Sequence, residues 1–176
     1  MTEGLEPVPQ ARTSFVHRLV GAATLHVPTY EEIEHDKDAT LQAALVILLV
    51  GLSSGFGTRH FDVSGLVSDV VARYFVWFVW AVITWAIGTK IFEGTADLGE
   101  MLRTLGFCFA PGLLYILGAI PILDYFIRTV IFLWIAVAAV VAVRQALDVS
   151  TEKALGTVLA GVAVYIILEF VRLSLF

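Results

Sequence analysis

Charge is scarce in this chain and cysteine is almost absent. Only 15% of its 176 residues are Asp, Glu, Lys or Arg, and their balance leaves a formal charge of −5. That deficit of basic residues excludes a polybasic nucleic-acid binder and leaves no basic patch for anionic lipid heads. The single cysteine, Cys108, cannot form an intramolecular disulfide. The four histidines, His17, His26, His35 and His60, show no metal-ligand spacing. Ser53 and Ser54 have no base nearby in sequence, and no two polar groups suggest convergence at depth. No catalytic, cofactor-binding or metal-binding residue is therefore assigned, and an enzyme is not expected.

Apolar sequence fills the space that charge leaves. Hydrophobic residues make up 59% of the chain, with a mean hydropathy of +0.87. Five stretches carry no charge at all: Ala39–Thr58, Tyr74–Thr89, Thr104–Leu123, Thr129–Val143 and Ala154–Leu168. A helix needs roughly 20 apolar residues to cross a bilayer's hydrocarbon core. The shorter stretches reach that length through flanks bearing Arg73, Arg128, Glu169 and Arg172, whose charges can snorkel to the interface. The expected fold is all-α, a polytopic bundle of five transmembrane helices preceded by a short amphipathic interfacial helix. Residues 1–38 form the leader, and residues 39–176 the membrane domain. Its spans are placed at about 40–57, 70–92, 102–120, 123–143 and 154–174. The leader is acidic and shows no cleavable signal, so the first span is expected to direct insertion.

Met1–Gln10 reads as a disordered tip. From Thr13, apolar residues recur at Phe15, Val16, Leu19, Val20 and Ala23, with Arg18 assigned to another face. That spacing predicts an amphipathic helix capped by Thr13 or Ser14, lying in the membrane interface; the alternative packs it on the bundle's end. Pro28 stops that helix, and Thr29 with Glu32 has capping-box spacing. The run Glu31, Glu32, Glu34, Asp36 and Asp38 reads as a solvated acidic helix start rather than a cation or partner site.

Within the membrane domain, Gly51 and Gly55 stand four apart and mark a face for close helix approach. Gly55 to Gly57 ends the first span, and residues 58–69 form a polar linker. Tyr74, Phe75, Trp77, Phe78, Trp80 and Trp85 make the second span aromatic, for packing or lipid contact rather than a cation cage. Lys90–Arg103 reads as a loop leading into a helix. Pro111-Gly112 kinks or breaks the third span, and residues 118–121 leave a tight hairpin to the fourth. Asp124 with Arg128, and Glu169 with Arg172, are spaced to pair. Ser150 or Thr151 can cap the last helix.

Lys and Arg counts orient the spans. Arg12, Arg18, Lys37, Lys90, Arg103, Arg144 and Lys153 fall on one side, against Arg59, Arg73, Arg128 and Arg172 on the other. The N-terminus is thus expected in the cytoplasm and the C-terminus outside. A re-entrant third stretch would instead give four spans and an inside C-terminus.

Three pieces of sequence, in order, resemble a known family. They are Tyr30 to Ala43, Leu102 to Gly112 with Ile120 to Leu123, and Leu133-Trp134 followed by Arg144 to Leu147 and Ser150 to Ala154. They resemble the Yip family of five-span proteins that interact with Ypt/Rab GTPases, and look closest to its short bacterial members. The resemblance covers about Tyr30 to Leu168 and implies a multi-pass protein of the bacterial cell inner membrane. In eukaryotic relatives it implies vesicle traffic through prenylated Rab GTPases; it supplies no catalytic residues. The expected function is a non-enzymatic scaffold or adaptor. Its partners would be the lipid bilayer and either a second copy of itself or another membrane protein, with no cofactor and no nucleic acid. The alternative is a small transporter or channel subunit using the broken third helix.

Overall fold

The computed structural model describes residues 13–57, 63–120 and 122–175, with the side chains of residues 69, 165 and 168–175 outside that description. The expected tip Met1–Gln10, the glycine-flanked linker's Arg59, and the Glu169–Arg172 pair lie outside the described residues. Among the described residues every element is helical. In chain order they are α1 (Phe15–Ala23), α2 (Val27–His35), α3 (Ala39–Phe56), α4 (Val63–Lys90) and α5 (Leu98–Cys108). A 3-10 stretch (Ala110–Ala119), α6 (Asp124–Leu147) and α7 (Thr151–Leu175) follow.

Four segments are long and apolar enough to cross a bilayer: α3, α4, Leu98–Ala119 and α6. α7 runs for 25 residues and packs against α4 and α6. Helix bounds refine the expected spans. α4 begins at Val63 rather than near Val70, so half of the expected polar linker is helical. The loop after Lys90 ends at Asp97, whose side chain and that of Glu100 form a capping box. That pattern was readable in sequence, because an acceptor followed three residues later by Glu is the box's signature.

The break at Pro111 takes a definite form. α5 stops at Cys108, and the chain continues for ten residues as a 3-10 helix with Pro111 in its first turn. Runs of this tighter helix rarely exceed three or four residues. A side chain from another helix sustains this one: the Ser53 hydroxyl of α3 donates to Leu113 O and accepts from Ile116 N–H at 3.1 Å. A group inserted into the backbone ladder is a recognised cause of helix distortion. The 3-10 rise of about 2.0 Å per residue also lengthens the segment, so its two parts reach about 36 Å, enough to cross a core of about 30 Å. The 3-10 stretch then packs on α6 as the expected hairpin.

Small residues set the helix spacing. A side chain at Gly51 would press on Val70, one at Gly55 on Leu66, and one at Gly106 on Ala43. The glycine pair in α3 thus lets α4 approach, as its spacing predicted. Gly57 caps α3, and buried Ala138, Ala139, Ala142 and Ala146 line the inner side of α6.

Candidate functional site

The leader is built into the bundle rather than resting beside it. Ser14 caps α1 by accepting from His17 N–H. The side chain of Arg18, expected on another face from the apolar residues, instead points inward and is 1% exposed. Positions 15, 18, 19 and 22 share one helical face, so the arginine interrupts the apolar stripe itself.

Burial of that guanidinium is offset by several oxygen partners. Its Nη2 donates to Glu32 at 2.7 Å and to Asp36 at 2.6 Å, and Nη1 donates to Gln42 at the start of α3 at 3.1 Å. Thr13 also donates to Glu32. Burial works against both charges. Hydrogen bonds and the attraction of opposite charge outweigh it, so Arg18 is held above and Glu32 below the ordinary value. α1, α2 and α3 are thereby tied by one ionic latch.

Five further hydrogen bonds join α2 to α1 and seat the leader on α5 and α6. Tyr30 Oη donates to Ala22 O at 3.1 Å, and Trp134 Nε1 of α6 donates to Ala23 O at 2.7 Å. Trp134 lies 13 residues before the end of α6, about 20 Å along its axis, so α1 reaches well down the bundle's flank. Arg103 of α5, 5% exposed, reaches the Glu34 carbonyl with Nε at 3.1 Å and with Nη2. Gln145 Nε2 donates to Glu31 at 3.1 Å.

These bonds correct the reading of the acidic run. Glu32 and Asp36 hold Arg18, Glu31 holds Gln145, and Glu34 is buried, so the run is not simply a solvated helix start. The capping box assigned to Thr29 and Glu32 also fails. α2 begins at Val27 with Pro28 in its first turn, Thr29 pairs with His26 Nδ1 at 3.0 Å, and Glu32 faces the arginine. Among the described residues no group of His, Cys, Asp and Glu could hold a metal ion.

Glu34 gives this face a pH dependence. Burial raises its carboxyl from 4.5 to about 7; Asp148 and Glu100 push the same way, while His35 and Arg103 oppose. A raised acid binds a proton in the folded state that the unfolded chain releases, so stability falls as pH rises between about 4.5 and 7. Glu34→Gln keeps the carbonyl that Arg103 uses and removes the titration. Thermal unfolding should show the variant gaining about 1–2 kcal/mol over wild type at pH 8 and nothing near pH 4. An equal difference at both pH values would refute this assignment.

A second polar group sits at the opposite end of the bundle. Arg128 and Asp124 pair at 2.6 Å, as their spacing predicted. Arg73 of α4 donates to Ser54 at 2.7 Å. The guanidinium groups of Arg73 and Arg128 both lie over the Tyr115 ring, 5.7 and 5.8 Å from its centre. No sequence signal joins three residues on three helices. Of the aromatics of α4, Trp77 and Trp85 donate to the carbonyls of Leu102 and Ala96.

The family model of the Yip1 domain matches residues 23–171. The match begins at the last residue of α1 and takes in the rest of the leader and almost all of α7. No curated protein and no solved structure matches the chain.

Proposed function

The chain belongs to the Yip1 domain family, and we propose that this multi-pass membrane protein is a non-enzymatic scaffold or adaptor that binds a partner protein or a second copy of itself. The observation that carries this reading is the latched leader. Its Arg18 network fixes α2 on the bundle's end with Glu31, His35, Lys37 and Asp38 on the exposed side. A pre-ordered surface loses little conformational freedom when it engages a partner.

In this reading α7 is the fifth span, supported by the uncharged run Ala154–Leu168 within its 25 residues. The leader and the α4–α5 and α6–α7 connections face the cytoplasm of a bacterial cell, following the Lys/Arg excess on that side. Val16 and Val20 stand outward on α1, 64% and 56% exposed, and would meet the lipid interface. The transporter alternative rests on the broken third helix. Ser53 occupies two backbone groups of that segment, Leu113 O and Ile116 N–H, which favours a structural kink.

Crosslinking in native membranes followed by blue-native electrophoresis tests the proposal. A discrete complex larger than the monomer is expected. A strictly monomeric protein with no crosslinked partner, or substrate flux into liposomes carrying the pure protein, would count against it.

A further inference from the structure

Two apolar cavities share the residues Val76 and Phe109. The larger, about 230 Å³, opens between α4, α6, α7 and the 3-10 stretch, with Trp80, Phe132, Val162 and Tyr115 in its wall. The smaller, about 200 Å³, is lined by Ile47, Val50 and Arg73. Arg73 precedes Val76 by three residues and Arg128 precedes Phe132 by four. Both guanidinium groups therefore stand about one helical turn from the larger cavity, displaced towards the same end. Tyr115, whose ring both of them contact, belongs to its wall.

Beside the cavity, in the contact between α4 and α7, two buried polar atoms have no hydrogen-bond partner among the described residues. Trp80 is 9% exposed, and its Nε1–H has no acceptor among the described residues. Thr84 Oγ1, one turn further along α4, is buried in the same condition, and both face Gly161 of α7. Arginine's planar fork matches phosphate oxygens. Arg128 directs Nε to Asp124 and, like any guanidinium, has five donors.

We propose that this is a phospholipid-binding site, with the lipid phosphate on Arg73 and Arg128 and the upper part of each acyl chain in one of the adjoining cavities. The low basic content of the sequence implied no patch for lipid heads. The fold makes one by bringing together two arginines 55 residues apart.

Native mass spectrometry of the delipidated full-length protein, incubated with phosphatidylglycerol, tests the site. Wild type should retain the lipid through a detergent wash, and the Arg73→Gln, Arg128→Gln double variant should retain it about tenfold less or weaker still. Ala136→Phe narrows the larger cavity with both arginines intact, and should also lower retention. It keeps the test decisive if the double variant fails to fold. Diacylglycerol, which lacks the phosphate, and inorganic phosphate, which lacks the chains, should each bind less. Equal retention by wild type and Ala136→Phe overturns the proposal, as does diacylglycerol binding as well as phosphatidylglycerol. Inorganic phosphate binding as tightly as the lipid would overturn it in favour of a soluble-anion site.

Discussion

Arg18→Met should destabilise the docked leader by about 3 kcal/mol and expose residues 13–38 to proteolysis and hydrogen exchange. Removing one partner of a buried ion pair costs about 3–5 kcal/mol, because the remaining charge stays desolvated. The lower end applies here, since Glu32 keeps 33% of its side chain exposed and Asp36 18%, where water can take over part of the lost interaction. Methionine preserves much of the packing volume, so the loss reports the ionic latch rather than a cavity. Arg18→Lys should fall between, because an ammonium keeps the charge but not the planar fork that serves Glu32, Asp36 and Gln42 together. Acid should weaken the same latch. The folded Glu32 titrates below its ordinary value, so its stabilisation is present above about 4.5 and disappears as pH falls through the folded value. Wild-type protease resistance in Arg18→Met would mean that the leader is held by its apolar contacts alone.

Gly57→Ala is the second large expected effect. A Cβ there would lie 2.1 Å from Tyr115 O and 3.2 Å from Ser53 O, both backbone atoms. Backbone cannot swing aside as a side-chain tip can, so the end of α3 must move away from the 3-10 stretch. Overpacking of this kind costs about 1–3 kcal/mol, and it should also disturb the Ser53 bridge to Leu113 and Ile116. Gly156→Ala serves as a comparison: its nearest neighbour is the Phe92 ring at 3.0 Å, a side chain rather than backbone, which need give only a few tenths of an ångström. Thermal unfolding in detergent should therefore rank Gly57→Ala well below Gly156→Ala, and equal midpoints would contradict the close contact.

These two residues also show what the sequence could reveal. The apolar runs gave the helices and their order, because hydrophobic length is a local property. The close approach at Gly51 and Gly55 and the pairing of Asp124 with Arg128 were equally local, set by spacings of four on one helix. Arg18 was misplaced because periodicity treats a charge as outward-facing, while its partners lie 14, 18 and 24 residues later. Glu32 was assigned to Thr29 for the same reason, the nearer partner being the only one visible. Pro111 announced a break but not its form, since the hydroxyl that sustains the 3-10 stretch comes from Ser53 on another helix. The grouping of Arg73, Tyr115 and Arg128 depends wholly on helix packing.

Crossing of the bilayer is the feature on which all of this rests, and cysteine labelling measures it. In a Cys108→Ser background, single cysteines at Glu93, Ile122 and Ser150 bracket the third segment and α6, and all three positions are exposed. With a membrane-impermeant maleimide, Ile122→Cys should label in intact cells, while Glu93→Cys and Ser150→Cys should label only after permeabilisation. Labelling of all three from the same side would show that Leu98–Ala119 and α6 do not cross, and would contradict the membrane-spanning bundle.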